Sequence, residues 1–552
     1  MGNRKKKEGS GSFLAQGAIL AAAGIIVKLI SLLYRVPITN ILGDEGQGYY
    51  SIAFEIYALA LLLTSYSMPL AVSKLVSARV AKGERKNSWR LFQTALLLSV
   101  IVGGIAACIF YFGADFIAAN ILTSPYSAYP LRFLAPGLFV VAILASFRGY
   151  FQGLGTMIPT AVSQVLEQVV NAIAAIIGAT AFLKIGAGIA KRENVKALKA
   201  AYGAAGATLG PVLGAATALM FLLIIFWGYR KTIRRQLLRD GSKKQESYGE
   251  IAKILVLTCA PVLLSTAVYN ISQSLDAAIF TKIMSVQGVA RKEYMEYWGM
   301  FSGKYNVWIN VPLAMANALG ASMIPSMTGA VTTGNKRLIH TKITLVVRSA
   351  MLIAIPSFVG LTVMGGPILS LLYSGNVEVP TKMMHIGAIS IVFFCLSTVT
   401  NAVLQGINKM TVPVRNASIS LAIHLVCLVI MMVMFKWGIY SVIVGNIIFS
   451  LSMCILNAMS IYEAIGYRQE VRKSFLLPLG AAAIMGVVTF LVYKLLSFVI
   501  GSNFATILSL FVAVLVYGIS LLKLGGLTET DMRTLPKGPQ LIKICRRFHL
   551  FR

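Results

Sequence analysis

The stretch KLISLLYRVPITNILGDEGQGYYSIAFEIYALAL, residues Lys28 to Leu61, decides the fold class of this chain. It contains two apolar runs separated by a short turn of glycines and acidic residues. Lys28 and Arg35 lie within the first run, and Glu55 lies within the second. A charge in the core of a bilayer is costly, so charges inside membrane-length apolar runs usually face a cavity or a partner. The stretch therefore predicts two membrane helices that border a polar interior.

The composition extends this prediction to the whole chain. Of its 552 residues, 57% are hydrophobic and 12% are charged, whereas soluble domains are about 25% charged. So much apolar surface cannot be buried in one aqueous core, which excludes an ordinary soluble protein. The formal net charge is +31, but Lys and Arg cluster between the apolar runs, as topology signals do. We therefore expect the lipid bilayer as a partner and no nucleic acid.

The apolar runs predict an all-α polytopic membrane protein with fourteen transmembrane helices, because a span needs about 20 apolar residues. The predicted spans are 13–36, 48–78, 90–113, 131–153, 158–183, 203–228, 252–284, 299–332, 344–374, 381–405, 413–436, 438–463, 474–499 and 503–524. With the N-terminus inside, the cytoplasmic segments hold 30 Lys and Arg and the outer loops hold 9. This asymmetry predicts that both termini are cytoplasmic.

The basic loop 184–200, KIGAGIAKRENVKALKA, departs from this charge rule, because it places five Lys and Arg on the predicted outer side. We expect the loop to form an amphipathic helix that lies on the membrane surface. The alternative is that spans five and six are misassigned.

Two pairs of short motifs indicate a duplicated six-helix unit. The turn between spans four and five and the turn between spans ten and eleven both read Gln-Gly, a short polar segment and Pro, with the glutamines 253 residues apart. The predicted structural turn residues are Gln152, Gly153, Pro159, Gln405, Gly406 and Pro413. The loops around Gly83 and Gly334 repeat at a spacing of 251 residues. An even number of spans per unit makes the repeats parallel, as in transporters of two lobes.

The repeat divides the chain into lobes with short additions. The predicted segments are a cytoplasmic basic tail at 1–12, an N-lobe at 13–229, a cytoplasmic linker at 230–250, a C-lobe at 251–465, helices thirteen and fourteen at 466–524, and a cytoplasmic basic tail at 525–552. The loops are short, and neither a nucleotide-binding P-loop nor a nucleophile constellation occurs. The cysteines and histidines are dispersed. We therefore expect a transporter that is not an enzyme and holds no metal.

The charges inside the predicted spans are the candidate substrate-binding groups: Lys28, Arg35, Glu55, Glu167 and Lys304. Lys28 and Arg35 are about two helical turns apart and so lie on one face of the first span. Stacked cations suit an anionic group, and Arg binds phosphate through two hydrogen bonds. The alternative for both is snorkelling to the membrane interface. For Glu55 the alternative is a structural ion pair.

Three further polar sites follow from the same reasoning. Asp276 in span seven is a buried acid, which invites a coupling ion or a partner lysine. Glu167 belongs to a polar stripe, 164–171, for which hydrogen bonding between helices is the alternative to ligand contact. Arg148, near the end of span four, is interpreted as an interface anchor. Taken with Lys304, the cations of the first span favour an anionic headgroup over a cationic drug.

Several of these motifs resemble those of polysaccharide-export flippases in the multidrug/oligosaccharidyl-lipid/polysaccharide (MOP) superfamily. The resemblance is carried by YRVPITNILGDEGQGYYSIAFEIY at 34–57, MPLAVSKLVSARVAKGE at 68–84, SLDAAIFTK at 274–282 and GKYNVWINVPLAMANALGASMIPSM at 303–327. It extends over nearly all of 13–524. Within the superfamily, the chain is most similar to the branch of stage V sporulation protein B and the MurJ-like lipid II flippases.

This resemblance implies a MATE/MOP-like transporter in the bacterial plasma membrane. It would move an undecaprenyl-pyrophosphate-linked saccharide, such as the peptidoglycan precursor lipid II, from the inner to the outer leaflet. It implies that Lys28 and Arg35 occupy the positions of essential first-span arginines, although lysine lacks bidentate geometry. It also implies a coupling-ion site at Asp276 and Asn416, although span eleven has no acid. Spans thirteen and fourteen, 466–524, would form a groove for the lipid tail.

The resemblance leaves other partners and functions open. Cell-wall synthesis proteins are expected partners besides the lipid-linked saccharide pyrophosphate. No cofactor is expected, and Na⁺, H⁺ or the membrane potential would supply the energy. The alternatives are export of another lipid-linked polysaccharide unit, a MATE-type drug antiporter, a membrane-embedded glycosyltransferase or a passive scramblase. An antiporter predicts a cavity dominated by acids and aromatics, and a glycosyltransferase predicts a catalytic acid near a sizeable outer loop.

Overall fold

The computed structural model describes residues 2–240, 245–332, 334–527, 542 and 546, and within them the regular structure is helical. The described helices are α1 (Gly2–Leu61), α2 (Met68–Ala81), α3 (Arg85–Phe112), α4 (Ala114–Phe116), α5 (Ala128–Gly153), α6 (Ile158–Arg192), α7 (Ala197–Leu238), α8 (Tyr248–Val286), α9 (Arg291–Met300), α10 (Asn306–Thr332), α11 (Lys336–Leu372), α12 (Glu378–Gly387), α13 (Ser390–Gly406), α14 (Thr411–Val433), α15 (Ile439–Ile465), α16 (Leu477–Ile500) and α17 (Ser502–Lys523). Shorter π-helical or 3₁₀ segments lie at Leu62–Tyr66, Ile117–Ile121, Pro125–Ser127, Phe301–Tyr305 and Arg472–Leu476. Part of the predicted linker and most of the C-terminal basic tail lie outside the described residues.

Many of these helices are long and apolar enough to cross a membrane. In the part of the chain that the structure describes, eleven helices meet this condition, or twelve if α12 and α13, which meet at a bend of 49°, form one span. The predicted all-α polytopic membrane protein is therefore confirmed. The exact number of fourteen spans stays a prediction.

Helix α1 joins the first two predicted spans, 13–36 and 48–78, through a bend. The backbone of Gly43 has φ 67° and ψ 176°, a left-handed conformation that favours glycine. The turn of glycines and acids between the two apolar runs therefore contains a kink at Gly43 that separates two helical segments of α1. After a π-helical segment the second run continues in α2, where Pro69 is tolerated because the first helical turn needs no N–H donor.

The basic loop 184–200 does not form the predicted surface helix. Helix α6 continues to Arg192 and α7 begins at Ala197, so the basic residues belong to the tip of a helical hairpin. The 35 residues of α6 span about 52 Å at 1.5 Å per residue, more than the roughly 30 Å of a hydrocarbon core. The two helices pack closely, because a Cβ atom on Gly178 would overlap the carbonyl oxygen of Gly206.

The chain forms two compact units, Met1–Gly299 (the first unit) and Met300–Arg552 (the second unit). Helix α8, which the sequence assigned to the C-lobe, belongs to the first unit. The observed boundary therefore lies at Gly299, beyond the predicted linker 230–250. The predicted lobes of six helices each stay a prediction.

The two predicted repeat turns have the same backbone geometry. The N–H of Gly155 donates to the carbonyl oxygen of Gln152 at 3.0 Å, and the N–H of Asn408 donates to that of Gln405 at 3.1 Å. Gly155 and Asn408 have φ of 85° and 61°, in the left-handed region that Gly and Asn tolerate best. In both copies a proline follows within the first three residues of the next helix. Both residue pairs are 253 positions apart, so the repeat extends to the hydrogen bonds of the turn.

The glycines of the Gln-Gly pairs make equivalent close contacts. A Cβ atom on Gly153 would lie 2.6 Å from the Cβ of Val76, and one on Gly406 would lie 2.8 Å from the Cβ of Met327. Val76 and Met327 are 251 residues apart, the spacing of the second motif pair. Both glycines of that second pair also have a left-handed backbone. Each unit therefore uses a glycine at the end of one helix to admit a neighbouring helix.

Helix α9 packs on α1 just after the bend in α1. A Cβ atom on Gly48 would overlap the carbonyl oxygen of Met295, and a Cβ atom on Gly299 would overlap that of Asp44. Both positions therefore require glycine if the backbones are to approach this closely. Gly48 and Gly299 are 251 residues apart, and so are Asp44 and Met295.

Candidate functional site

A cavity of about 530 Å³ lies in the first unit, and we name it the first-unit cavity. The end of α1, the following π-helical segment, α2, α5, α6 and α8 contribute its wall. Its polar lining residues are Ser65, Tyr66, Arg148, Gln152, Gln164 and Asn270. The volume is in the range of ligand sites, which are roughly 300–1,000 Å³. Amide and hydroxyl groups around one guanidinium suit a polar ligand that carries an anion.

Arg148 is held on the cavity wall by two side chains of α6. Its Nη2 donates to Oε2 of Glu167 at 2.6 Å, and its Nε donates to Oγ of Ser163 at 3.0 Å. The pair is largely buried, with side-chain exposures of 14% for Arg148 and 28% for Glu167. A buried ion pair is stable only when further hydrogen bonds satisfy the charged groups, as Ser163 does here. The prediction of Arg148 as an interface anchor is therefore wrong.

The polar stripe 164–171 combines both roles that the sequence left open. Gln164 lines the first-unit cavity, and Glu167 is the partner of Arg148. The other end of the stripe faces α1, where Nε2 of Gln168 donates to Oγ of Ser31 at 2.8 Å. Gln164 therefore belongs to the cavity wall, Glu167 holds Arg148 there, and Gln168 connects α6 to α1.

The first-span cations lie beside this helix contact. Lys28 and Arg35 are both exposed, and Ser31 lies between them on α1. Neither cation is among the residues that line the first-unit cavity. Their assignment as substrate-binding residues stays a prediction.

Two predicted acids meet in the first unit. Asp276 on α8 is 1% exposed, and it is close enough to Glu55 on α1 for electrostatic interaction. The two helices are also linked by Oγ of Ser274, which donates to the carbonyl oxygen of Glu55 at 3.3 Å. Among the described residues, Oε2 of Glu55 is buried and has no hydrogen-bond partner. Two neighbouring carboxyl groups inside a membrane protein favour a bound cation.

Lys304 has a different environment from the one expected of a substrate ligand. It lies in the π-helical segment Phe301–Tyr305 and is 1% exposed. Its Nζ donates to the carbonyl oxygens of Asn376 at 3.0 Å and Ser374 at 3.3 Å. These bonds fix the loop after α11, so we leave Lys304 out of the proposed headgroup site.

Asn416, the predicted coupling-ion residue, belongs to a buried amide network in the second unit. Its Nδ2 donates to Oδ1 of Asn457 at 2.9 Å and to Oγ of Ser460 at 3.2 Å. Its Oδ1 lies 3.5 Å from a guanidinium nitrogen of Arg415, a cationic neighbour that disfavours a metal cation there. Ion coupling at Asn416 stays a prediction that these contacts do not favour.

The turn residue Gln152 has a role that its turn position did not suggest, because its side chain lines the first-unit cavity. The sequence missed Asn270 as well, although it lies in the polar stretch of α8 that contains Asp276. The sequence does not show whether an uncharged polar side chain of a membrane helix faces a neighbouring helix or a cavity. Asn and Gln occur at both kinds of position.

The family of this protein follows from its sequence. A family model described as polysaccharide biosynthesis protein matches residues 13–331, more than half of the chain. The chain belongs to this polysaccharide biosynthesis protein family. The match includes the helices that line the first-unit cavity.

Two curated relatives of this family member extend over nearly its whole length. Lipid II flippase MurJ of Bacillus subtilis (strain 168) is 27% identical over 505 residues, covering 89% of this chain and 90% of the relative. Stage V sporulation protein B of the same strain is 25% identical over 530 residues, covering 95% of this chain and 98% of the relative. The resemblance to this branch of the superfamily is therefore confirmed.

Solved structures show the same fold. A multidrug resistance MATE family transporter of the MOP superfamily, in an inward-facing conformation, has a TM-score of 0.64 at 16% identity, over 82% of this chain and 98% of that one. Lipid II flippase MurJ in an inward closed conformation has a TM-score of 0.63 at 13% identity, over 91% and 98%. This member of the polysaccharide biosynthesis family therefore has a MATE/MurJ-like membrane fold.

Proposed function

We propose that this protein is a flippase that moves an undecaprenyl-pyrophosphate-linked cell-wall precursor from the inner to the outer leaflet by alternating access. Lipid II is the first candidate, because a relative is named as its flippase. The observation that carries the proposal is the guanidinium of Arg148 among the amides of the first-unit cavity. A fixed cation in a membrane cavity favours an anionic headgroup.

The pairing of Arg148 with Glu167 suits such a ligand. The pair keeps the empty cavity close to neutral, which lowers the cost of a cation inside the membrane. A pyrophosphate would compete with the carboxylate for the same guanidinium, and the planar Arg fork binds phosphate oxygens bidentately. The amides of Gln152, Gln164 and Asn270 would donate to the sugar and phosphate oxygens.

Lys28 and Arg35 would attract the headgroup before it enters. Both are exposed on one side of α1, next to the helix contact with α6. Lysine provides a point charge and arginine a bidentate fork, so Arg35 is expected to contribute more to binding. The shift of the transporter between its two states requires that the headgroup binds the two states with different affinity.

The lipid tail would stay in contact with the hydrocarbon, along 466–524. Large apolar side chains such as Phe498 on α16 and Phe511 on α17 are exposed, which supports this assignment. The tail therefore does not need to pass through a polar cavity. Energy coupling through a cation is proposed at Glu55 and Asp276 in the first unit.

A second candidate function is a cation-coupled drug antiporter. The neighbouring acids Glu55 and Asp276 favour it, because paired carboxyl groups also attract cationic drugs. In that case the protein would lower drug accumulation in cells and would not replace a lipid II flippase.

The decisive experiment is rescue of a bacterial strain depleted of its own lipid II flippase. Wild type, Lys28→Ala, Arg35→Ala and Arg148→Ala are compared at matched expression. Arg132→Ala is the matched control, because Arg132 pairs with Asp115 at an exposed surface of the same unit. We expect growth with wild type and Arg132→Ala, and none with Arg148→Ala.

Each other outcome changes one part of the proposal. If wild type inserts into the membrane but does not restore growth, lipid II is the wrong substrate. Lipid-linked intermediates that accumulate on deletion of the native gene would then identify another glycan. If wild type and all three alanine variants rescue equally, the proposed headgroup site is wrong even though the transported lipid is right.

A further inference from the structure

A cavity of about 580 Å³ in the second unit has no part in the function proposed above. Its wall consists of the first turns of α11, and we name it the α11 pocket. Three lining residues are permanently basic, Lys336, Arg337 and Arg348, and they are accompanied by His340, two threonines and Leu345. None of the lining residues is acidic.

Segments from outside α11 hold two of these side chains in place. The His340 ring nitrogen Nε2 lies 3.1 Å from the carbonyl oxygen of Ile465, just before the turn that follows α15. Nη2 of Arg348 donates to the carbonyl oxygen of Gly526, after α17, at 2.7 Å. The α11 pocket is therefore a concavity in which His340 and Arg348 are held in place, while Lys336 and Arg337 are exposed at its edge.

The chemistry of the pocket selects an anion with several oxygens. Arg337 offers a planar fork that matches phosphate geometry, and Lys336 and Arg348 add positive charge. The pocket also includes the start of α11, where the helix dipole is positive and anions are stabilised. Asn335 satisfies one backbone donor there, since its side chain accepts from the N–H of Leu338 at 3.0 Å. The remaining donors of that helix end favour the same ligand.

The position of the pocket indicates where the phosphate comes from. Helix α11 has 37 residues, about 55 Å, so its basic start reaches beyond a hydrocarbon core of roughly 30 Å. Leu345 lines the pocket beside the cations and is 51% exposed, as is suitable for contact with an acyl chain. A free phosphate ion would gain no binding energy from contact with Leu345, whereas a lipid would.

We propose that the α11 pocket binds the phosphate headgroup of an anionic membrane lipid. The shared chemistry allows two sources, the phosphodiester of a glycerophospholipid and the pyrophosphate of a polyprenyl lipid. The charge count predicts that this end of α11 faces the cytoplasm, where anionic lipids attract Lys and Arg. The inference does not depend on the proposed flippase activity.

The test is native mass spectrometry of the full-length protein in detergent, with lipid added in steps. The probes are phosphatidylglycerol, undecaprenyl pyrophosphate, phosphatidylcholine and inorganic phosphate. The site variant is Lys336→Gln with Arg337→Gln, both exposed and therefore safe for folding. The matched control is Arg234→Gln with Arg235→Gln, which removes the same charge from exposed positions of α7. Arg348→Gln is a second variant that removes the deepest cation.

We expect the first bound anionic lipid to dissociate about tenfold more readily in the site variant, with the control unchanged. Preference for phosphatidylglycerol or for undecaprenyl pyrophosphate identifies the source. Equal loss in the site variant and the control would mean general surface attraction and would overturn the proposal. Binding of phosphatidylcholine as tight as that of the anionic lipids, or displacement of lipid by low concentrations of inorganic phosphate, would overturn it too.

Discussion

The helix pairs α5–α6 and α13–α14 hold different polar groups at the same repeat positions. In the first pair Arg148 bonds directly to Ser163 and Glu167. The residues 253 positions later are Asn401, Asn416 and a serine, which carry no charge. One pair therefore presents an ion pair at a cavity, and the other presents amides.

The amides of the second pair are bridged by a residue from α15. Asn457 accepts from Asn416 at 2.9 Å and donates to Asn401 at 2.8 Å. The residue 253 positions before Asn457 is Ala204, which is too small to form such a bridge. The two units therefore keep the same turns, while the polar interior has become a charged cavity wall in one unit and a packed amide network in the other.

The largest expected effect comes from removing the ion pair between Arg148 and Glu167 in the first helix pair. Arg148→Ala leaves Glu167 buried without its partner, and we expect transport to fall to background. The free energy of unfolding should fall by about 2 kcal/mol, less than for a fully buried pair because Glu167 is partly exposed. Flippase rescue and thermal unfolding in detergent measure the two effects.

The double variant Arg148→Asn with Glu167→Ser sharpens this test. It installs two of the three residues of the second pair, at positions 148 and 167, and leaves no unpaired charge. We expect near wild-type thermal stability together with no transport. Full transport in this variant would show that the charge is not the functional element.

The second prediction concerns the uncharged amide network of the second helix pair. Asn457→Ala removes the bridge between Asn401 and Asn416 and leaves buried amides unsatisfied. We expect the free energy of unfolding to fall by about 2 kcal/mol. Transport per folded molecule should stay unchanged, as measured by flipping in proteoliposomes at matched protein content. The control Ser418→Ala alters an exposed position of α14, and a specific loss of transport in Asn457→Ala would contradict a packing role.

A third prediction concerns the acids of the first unit. Glu55 has Asn306 as its counterpart 251 residues later, so the charge is again confined to one copy. Glu55→Gln removes one of the two neighbouring carboxyl groups, and we expect transport to continue but to lose its response to a Na⁺ or pH gradient. Proteoliposomes with and without each gradient measure this response. Glu45→Gln is the control, and an unchanged gradient response in Glu55→Gln would remove Glu55 from the coupling site.

The smallest effects should appear at the shared turns. Gly155→Ala places a Cβ atom on a left-handed backbone, which costs about 1 kcal/mol. Asn408→Gly removes the side chain from the equivalent left-handed position of the second turn. We expect the free energy of unfolding to change by less than about 0.5 kcal/mol. Thermal unfolding of both variants tests the equivalence of the turns. A larger loss in Asn408→Gly than in Gly155→Ala would contradict it.

The sequence predicted the repeat turns because turns depend on local chemistry. Gln152 and Gln405 mark helix ends where glycine, a left-handed residue and a proline are needed in a fixed order. The membrane class was predictable from the apolar content for the same reason, since hydropathy is a property of each segment alone.

The site was less predictable because direction around a helix depends on neighbours. Arg148 lies close to the end of α5, and its position along the chain did not show that α6 supplies two partners. The sequence did not show the partners of Lys304, because they come from a loop about 70 residues later in the chain. The two sides of the basic tip 184–200 are helical up to Arg192 and from Ala197, because Ala, Lys and Arg have high helix propensity, which hydropathy does not register.

The contact of α9 with α1 is reciprocal, because each segment places its own glycine against the backbone of the other. Gly48 meets Met295 while its counterpart Gly299 meets Asp44, the counterpart of Met295. Such reciprocal contacts are isologous, the kind formed around a two-fold axis when identical subunits pair. The two segments therefore contact each other through equivalent residues, as the two copies of a homodimer do around a two-fold axis.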